Sequence, residues 1–412
     1  MIVTPDHIPY VQSVSSQEVP PPYQFPEVRV NAFAWEAKID RVQKYCDDFF
    51  NLGDVKDRGF TYVAAAGFPY AMLMILDYPV MISAKQELPA SLWHRDPLIE
   101  RGVVNEESDK RKIPQSLLHL TPFSDRGVVS QREVFVALPV VRVGATPLKL
   151  VTDSALEFAL PFIVVDEPNS AVCGREMLGM EKLRANILLG ESKFPDSFQA
   201  QVSLPGWKSP HSTQEMMPFL SVQTGPAVPT FRGKPDAESL WTLFRSRVAE
   251  QLIGAAMTGA NSIDTLSAGA VPTAMQTVQL KQFRDAREPR NAIYQALVSC
   301  RSKYSRLKDF QFYKEEDVTI TFHEEGIFGD TLRYIELPPG NPSKNPDEAA
   351  KGFSPKAAYR FTADIDFDEM LTLHTFSVDR PGGLPPTKAT SDLTAPWLRP
   401  WRGFFSGPGR RP

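Results

Sequence analysis

Apolar and polar positions alternate over short runs along most of this chain, and prolines or glycines close the runs, which predicts a turn-rich, mainly antiparallel β protein. Strands are expected over 28–35 (VRVNAFAW), 60–66 (FTYVAAA), 132–143 (REVFVALPVVRV), 158–165 (FALPFIVV), 198–204 (FQAQVSL), 277–283 (TVQLKQF) and 317–324 (DVTITFHE). The alternation is imperfect in most of them, as it is where a sheet is covered on both faces. Three segments instead repeat at helical spacing. Ile39, Val42, Cys46 and Phe49 mark a helix over 37–50, and Leu240, Phe244, Val248 and Leu252 mark a second, capped by Asp236, within 235–260. A third helix is expected over 290–304 (RNAIYQALVSCRSKY).

Two stretches lack a period. Residues 85–127 mix charge, proline and isolated large apolar side chains, as a lid-like insertion would, and from about 339 to 412 the chain turns rich in Pro and Gly. The aromatic cluster Trp397, Trp401, Phe404 and Phe405 is too apolar for a wholly solvated tail and is expected to dock on this fold or on a second subunit. The main folded unit is expected over 20–338, with 339–412 as an extension.

Composition narrows the function classes. With 412 residues, 42% of them hydrophobic, and a formal charge of -4, the chain reads as globular and has no basic stripe for a nucleic acid. No stretch reaches 18 uninterrupted apolar residues and the N-terminus lacks a basic-then-apolar leader, so a cytoplasmic protein away from membranes is expected. The three cysteines show no C-x-x-C spacing, which fits a reducing compartment. None of the six histidines pairs with another at ligand spacing, and no metal is expected. The serine-hydrolase elbow, the phosphate loop and the dinucleotide glycine pattern are all absent.

One stretch carries chemistry. In DEPNSAVCGREMLGMEKL (166–183) a Gly-Arg-Glu triplet is followed, six residues after its Glu176, by Lys182 in apolar company. Upstream, REVFVALPV (132–140) places Glu133 six residues before Pro139. Together these resemble the acetoacetate decarboxylase superfamily, and the N-terminal PPYQFPEVRVNAFAWEAKIDRV is similar to that family's opening strand and helix, with Arg29 one residue out of register from its active-site arginine. The resemblance covers about 20–335 and implies antiparallel sheets closing into a barrel or cone with a few peripheral helices.

It also implies a lysine Schiff-base enzyme acting on a small keto acid or ketone, a lyase with decarboxylation as the first expectation, working as a homo-oligomer without a cofactor. Lys182, Glu133 and Arg29 are the implied catalytic residues, and Arg175, Met177, Met180 and Phe135 are expected to contact substrate. An aldolase, dehydratase or cyclase using the same lysine, and a ligand-binding protein that kept the fold, are the alternatives. Where the family's decarboxylases carry Pro before the lysine and a second Lys after it, this chain has Glu181 and Leu183.

The chemistry stands without the family. A lysine of ordinary basicity is only about one part in 2,500 neutral at pH 7, so an imine-forming amine needs burial or a neighbouring cation. Acetoacetate decarboxylase is itself the standard example of an amine so activated. Met177, Leu178, Met180 and Leu183 would supply the apolar surroundings, while Glu181, next in an extended chain, would face away.

Overall fold

A computed structural model describes residues 21–66, 70–83, 128–146, 155–190, 195–203, 213, 215–227, 274–323, 332, 334–335, 337–338 and 352–376. The expected lid at 85–127, the helix within 235–260 and the aromatic cluster at 397–405 lie outside these residues.

The elements run β1 (Tyr23–Glu36), α1 (Ile39–Phe49), α2 (Val55–Arg58), β2 (Phe60–Ala64), β3 (Tyr70–Ser83), β4 (Val128–Gly144), β5 (Ala155–Val165), α3 (Pro168–Glu176), β6 (Leu183–Leu189), β7 (Ser197–Ser203), β8 (Met216–Gln223), β9 (Ala274–Arg284), β10 (Ala292–Phe312), β11 (Thr319–Phe322) and β12 (Ala357–Thr375). The fold is mainly β. The pairings are antiparallel except β5 with β6 and β5 with β9.

Starting from β1, the order β3, β4, β5, β9, β10, β12 returns to β1, so the strands close into a ring. Each of these strands gives one face to each of two apolar clusters. Tyr23, Val28 and Val30 of β1, Leu76 and Tyr78 of β3, Phe135 of β4, Ile163 of β5, Cys300 of β10 and Phe361 of β12 meet in one cluster with no strand from outside the ring. The other cluster includes Val42 and Cys46 of α1, Phe198 of β7, Phe219 of β8 and Ile320 of β11. The first is therefore the ring's interior, and the second is its outer face, covered by α1 and by the β6–β7–β8–β11 extension.

Burial on both faces explains what pattern reading got wrong. Residues 292–304, expected to be helical, belong to β10, where Ala296, Leu297, Val298, Ser299 and Cys300 are consecutively buried because neighbours serve opposite cores. An unbroken apolar run has no period to separate strand from helix. β12 is a ring strand within the stretch expected to be a Pro/Gly-rich extension. Helix α1 forms as its apolar spacing predicts, burying Val42, Tyr45 and Cys46.

Candidate active site

β5 leaves the ring at Val165 and leads through Asp166 into α3, which returns to β6 alongside β5. Helix α3 starts where Pro168 follows Glu167, whose side chain accepts the backbone N–H of Ser170 at 2.6 Å. It ends in a turn in which the N–H of Met180 reaches the carbonyl of Gly174 at 2.9 Å and Gly179 takes a positive φ of 68°. Lys182 follows directly, as the last residue before β6.

Register then fixes where the lysine goes. Leu183 pairs with Val164, and on the other side of β5 Glu133 pairs with Val165. Glu133 and Lys182 thus flank β5 from opposite sides, and both side chains turn into the ring. Each is almost fully buried, at 4% and 6% exposure. Lys182 Nζ donates to Glu133 Oε2 in a short ion pair and to Ser170 Oγ at 3.2 Å.

The other oxygen of Glu133 is also held. Tyr78, which lies on the interior face of β3, donates its hydroxyl to Glu133 Oε1 at 3.4 Å. Burial pushes the Tyr78 phenol well above its ordinary range and the Glu133 carboxylate pushes it further, so it remains a donor. Tyr304 of β10, also raised by burial with smaller contributions from Tyr359 and Glu133, adds a second phenol to the interior from another side of the ring.

The lysine stem needs the glycine beneath it. A Cβ at Gly174 would lie 2.6 Å from Lys182 Cδ and 2.7 Å from Cε, so the side chain reaches Glu133 by passing directly over α3. Gly179 is similarly crowded, with Lys281 Cβ 2.7 Å from the position its own Cβ would take.

The site residues named from sequence separate into three groups. Lys182, Glu133, Phe135 and Met180 come together as buried interior residues, and Met177 packs at their edge, where Tyr23 donates to its sulfur at 3.5 Å. Arg175 is exposed and its guanidinium donates to the Lys182 carbonyl at 3.4 Å, holding the lysine's backbone from outside. Arg29 does not reach the lysine. Its neighbours Val28 and Val30 face inward, so it faces outward and pairs with Asp77 at 3.0 Å, and Arg132 approaches the same Asp77 and Asp166 at 3.9 Å each. Glu181 is exposed, with Gln282 as a hydrogen-bond partner at 3.5 Å.

The chain is similar to acetoacetate decarboxylases. The enzyme from Legionella pneumophila superposes with a TM-score of 0.44 at 10% identity, over 90% of this chain and 93% of that one. The enduracididine biosynthesis enzyme MppR complexed with pyruvate gives 0.39 at 10% identity, over 88% and 95%. An acetoacetate decarboxylase-like enzyme from Sphingomonas wittichii gives 0.41 at 10% identity, over 86% and 93%. No protein-family model matches the chain, and no curated protein matches it.

Tyr78 and Ser170 were missed from sequence. Ser170 lies inside the quoted stretch but gains meaning only once 168–176 is read as a helix that turns it toward the lysine. Tyr78 depends on the pairing of β3 with β4, for which a single sequence holds no signal. Among the described residues no cluster of His, Cys, Asp and Glu could hold a metal, and no helix is long and apolar enough to cross a membrane.

Proposed function

We propose that the protein is a Schiff-base enzyme in which Lys182 condenses with the carbonyl of a small keto acid. The observation that carries this reading is a lysine amine buried inside the ring whose hydrogen-bond partners among the described residues are a carboxylate and a hydroxyl. A lysine kept for solubility would be exposed. A buried one without chemistry to perform bears a desolvation cost that apolar residues would avoid.

Glu133 can accept the ammonium proton through the contact it already makes, leaving the amine lone pair free to attack. The carbon–nitrogen bond forms as the carbonyl π bond opens, and a proton passes from the attacking nitrogen to the oxygen to give the carbinolamine. Return of a proton from Glu133 to the carbinolamine hydroxyl then releases water and leaves a protonated imine. In a β-keto acid the carbon–carboxylate bond breaks next, its electron pair flowing into the imine to give carbon dioxide and an enamine. Protonation at carbon and hydrolysis return the ketone and the free lysine. Where the imine instead loses a proton from the neighbouring carbon to a base, the carboxylate is kept and the resulting enamine supports aldol addition, dehydration or cyclisation.

Borohydride reduction in the presence of acetoacetate or pyruvate, followed by peptide mass mapping, tests the proposal. An adduct on Lys182 is expected, together with carbon dioxide release from acetoacetate. Labelling at any other lysine, or no adduct with either acid, would defeat the imine reading. An adduct without carbon dioxide release moves the chemistry to the aldol branch.

A further inference from the structure

The interior wall beside Lys182 contains a polar group that the chemistry above does not use. Along β4 the side chains of Gln131, Glu133 and Phe135 share the inward face, since Val134 and Val136 belong to the outer core. Gln131 stands directly across from Tyr78 in the β3–β4 register, and β5 ends opposite Glu133, so Gln131 lines the wall one step beyond the end of β5. It is 5% exposed, and among the described residues its Oε1 has no hydrogen-bond partner.

A buried amide oxygen without a donor has given up its hydrogen bonds to water with nothing in return. The nearest hydroxyl in the register, that of Tyr78, is directed to Glu133 instead. Among the described residues one other inward-facing amide has an atom without a partner. That residue, Gln279, lies further back along the ring, because β9 pairs Thr277 with Phe158 near the start of β5. Gln131 is therefore the orphan acceptor next to the reacting amine.

We propose that Gln131 receives a hydrogen-bond donor of the substrate, so that the site takes carbonyl compounds bearing an N–H or O–H at a fixed distance from the reacting carbonyl. Two residues along a strand span about 6.8 Å, which sets that distance at roughly five bonds. The inference rests on Lys182 marking where the carbonyl sits, and it narrows the substrate to one with a neutral or cationic donor end. An oxygen acceptor repels a second carboxylate at that point, whereas an amide or alcohol satisfies it.

The test compares 5-oxohexanamide with methyl 5-oxohexanoate, which share the ketone and chain while only the amide offers N–H. Calorimetric binding to the full chain reads the discrimination whether or not an imine forms, and borohydride trapping on Lys182 reads the reaction. Wild type is expected to bind the amide about tenfold more tightly than the ester, the value of one satisfied buried acceptor. Gln131→Met should bring the two ligands within about twofold, and Gln131→Glu, which keeps an acceptor, should retain the preference. Equal binding of the pair to wild type, tighter binding of the ester, no binding of either, or a preference that survives Gln131→Met would overturn the inference. Discrimination in binding without any Lys182 adduct would instead remove the imine reading and leave the Gln131 subsite standing.

Discussion

Gly174→Ala separates a reactive lysine held in place from one that merely happens to be buried. On an ordinary helix the substitution would be favourable, since alanine in place of glycine contributes about 0.5–1 kcal/mol. Here the new Cβ falls 2.6, 2.7 and 3.0 Å from Cδ, Cε and Cγ of Lys182. Carbon atoms rest about 3.5–4.0 Å apart, so the stem must retreat by about 1 Å. That retreat takes Nζ out of hydrogen-bonding range of Ser170, now at 3.2 Å, and strains the Glu133 contact. Losing the hydroxyl costs about 0.5–1.5 kcal/mol and an off-rotamer stem about as much again. The helix gain offsets part of this, leaving a net loss of about 1 kcal/mol, which a thermal melt would register as a few degrees. The effect on chemistry is larger, because a 1 Å displacement of a reacting group costs about 10²-fold. The expected variant is thus folded, slightly less stable and about a hundredfold slower in borohydride trapping. Trapping at the wild-type rate would show that the path over α3 does not position the amine.

Two further outcomes follow from the same packing. Tyr78→Phe removes the donor on Glu133 Oε1 and should slow trapping by about tenfold while lowering stability by about 1 kcal/mol; an unchanged rate would mean that the phenol does not steady the carboxylate. On the outer face, Glu157 is fully buried, and burial raises its carboxyl above the ordinary value, with Arg142 opposing part of the shift. The folded chain therefore keeps a proton there that the unfolded chain releases, so this group withdraws stability as pH climbs from about 4.3 through the raised folded value. Glu157→Gln should abolish that decline in urea melts run across this range, and parallel curves for the two proteins would refute the assignment.

The buried pair of Lys182 and Glu133 was legible because its information is local. A glycine turn, an Arg-Glu pair and a fixed interval identify Lys182 within one short stretch, and the interval to Pro139 identifies Glu133. Strands that alternate or end at turns were equally readable, as β1, β2, β4, β5, β7, β9 and β11 show. β12 was readable as well. Tyr359, Phe361, Ala363, Ile365 and Phe367 alternate with Arg360, Thr362, Asp364 and Asp366, but the surrounding Pro- and Gly-rich sequence drew the reading away. β3 and β10 were not readable by the same test, since a ring wall with apolar cores on both sides replaces alternation with continuous runs. Arg29 shows the limit of resemblance. A shift of one residue along a strand keeps the sequence match almost intact and moves the side chain to the other side of the sheet.

That outward arginine has its own structural logic, and it explains why the site sits where it does. Arg29, Asp77 and Arg132 are register partners across β1, β3 and β4, one row along from Val30, Leu76 and Glu133. Adjacent rows project to opposite faces, so the charge row outside and the Glu133 row inside are set by the same pairing. Arg132 extends the outer row to β5 and β6, because its N–H donates to Asp166 Oδ1 at 2.7 Å and its guanidinium donates to the Ile187 carbonyl at 3.2 Å. These bonds fasten the exit of β5, the point from which α3 departs and to which Lys182 returns. Strand spacing and rise put the backbones of Glu133 and Lys182 about 10–12 Å apart, a gap that two long side chains close and shorter ones would not. An inward arginine at position 29 would remove a charge from the row that anchors this exit. In this chain the outer charges brace the exit of β5, and the interior is left to a lysine, its carboxylate and neutral donors and acceptors such as Ser170, Tyr78 and Gln131.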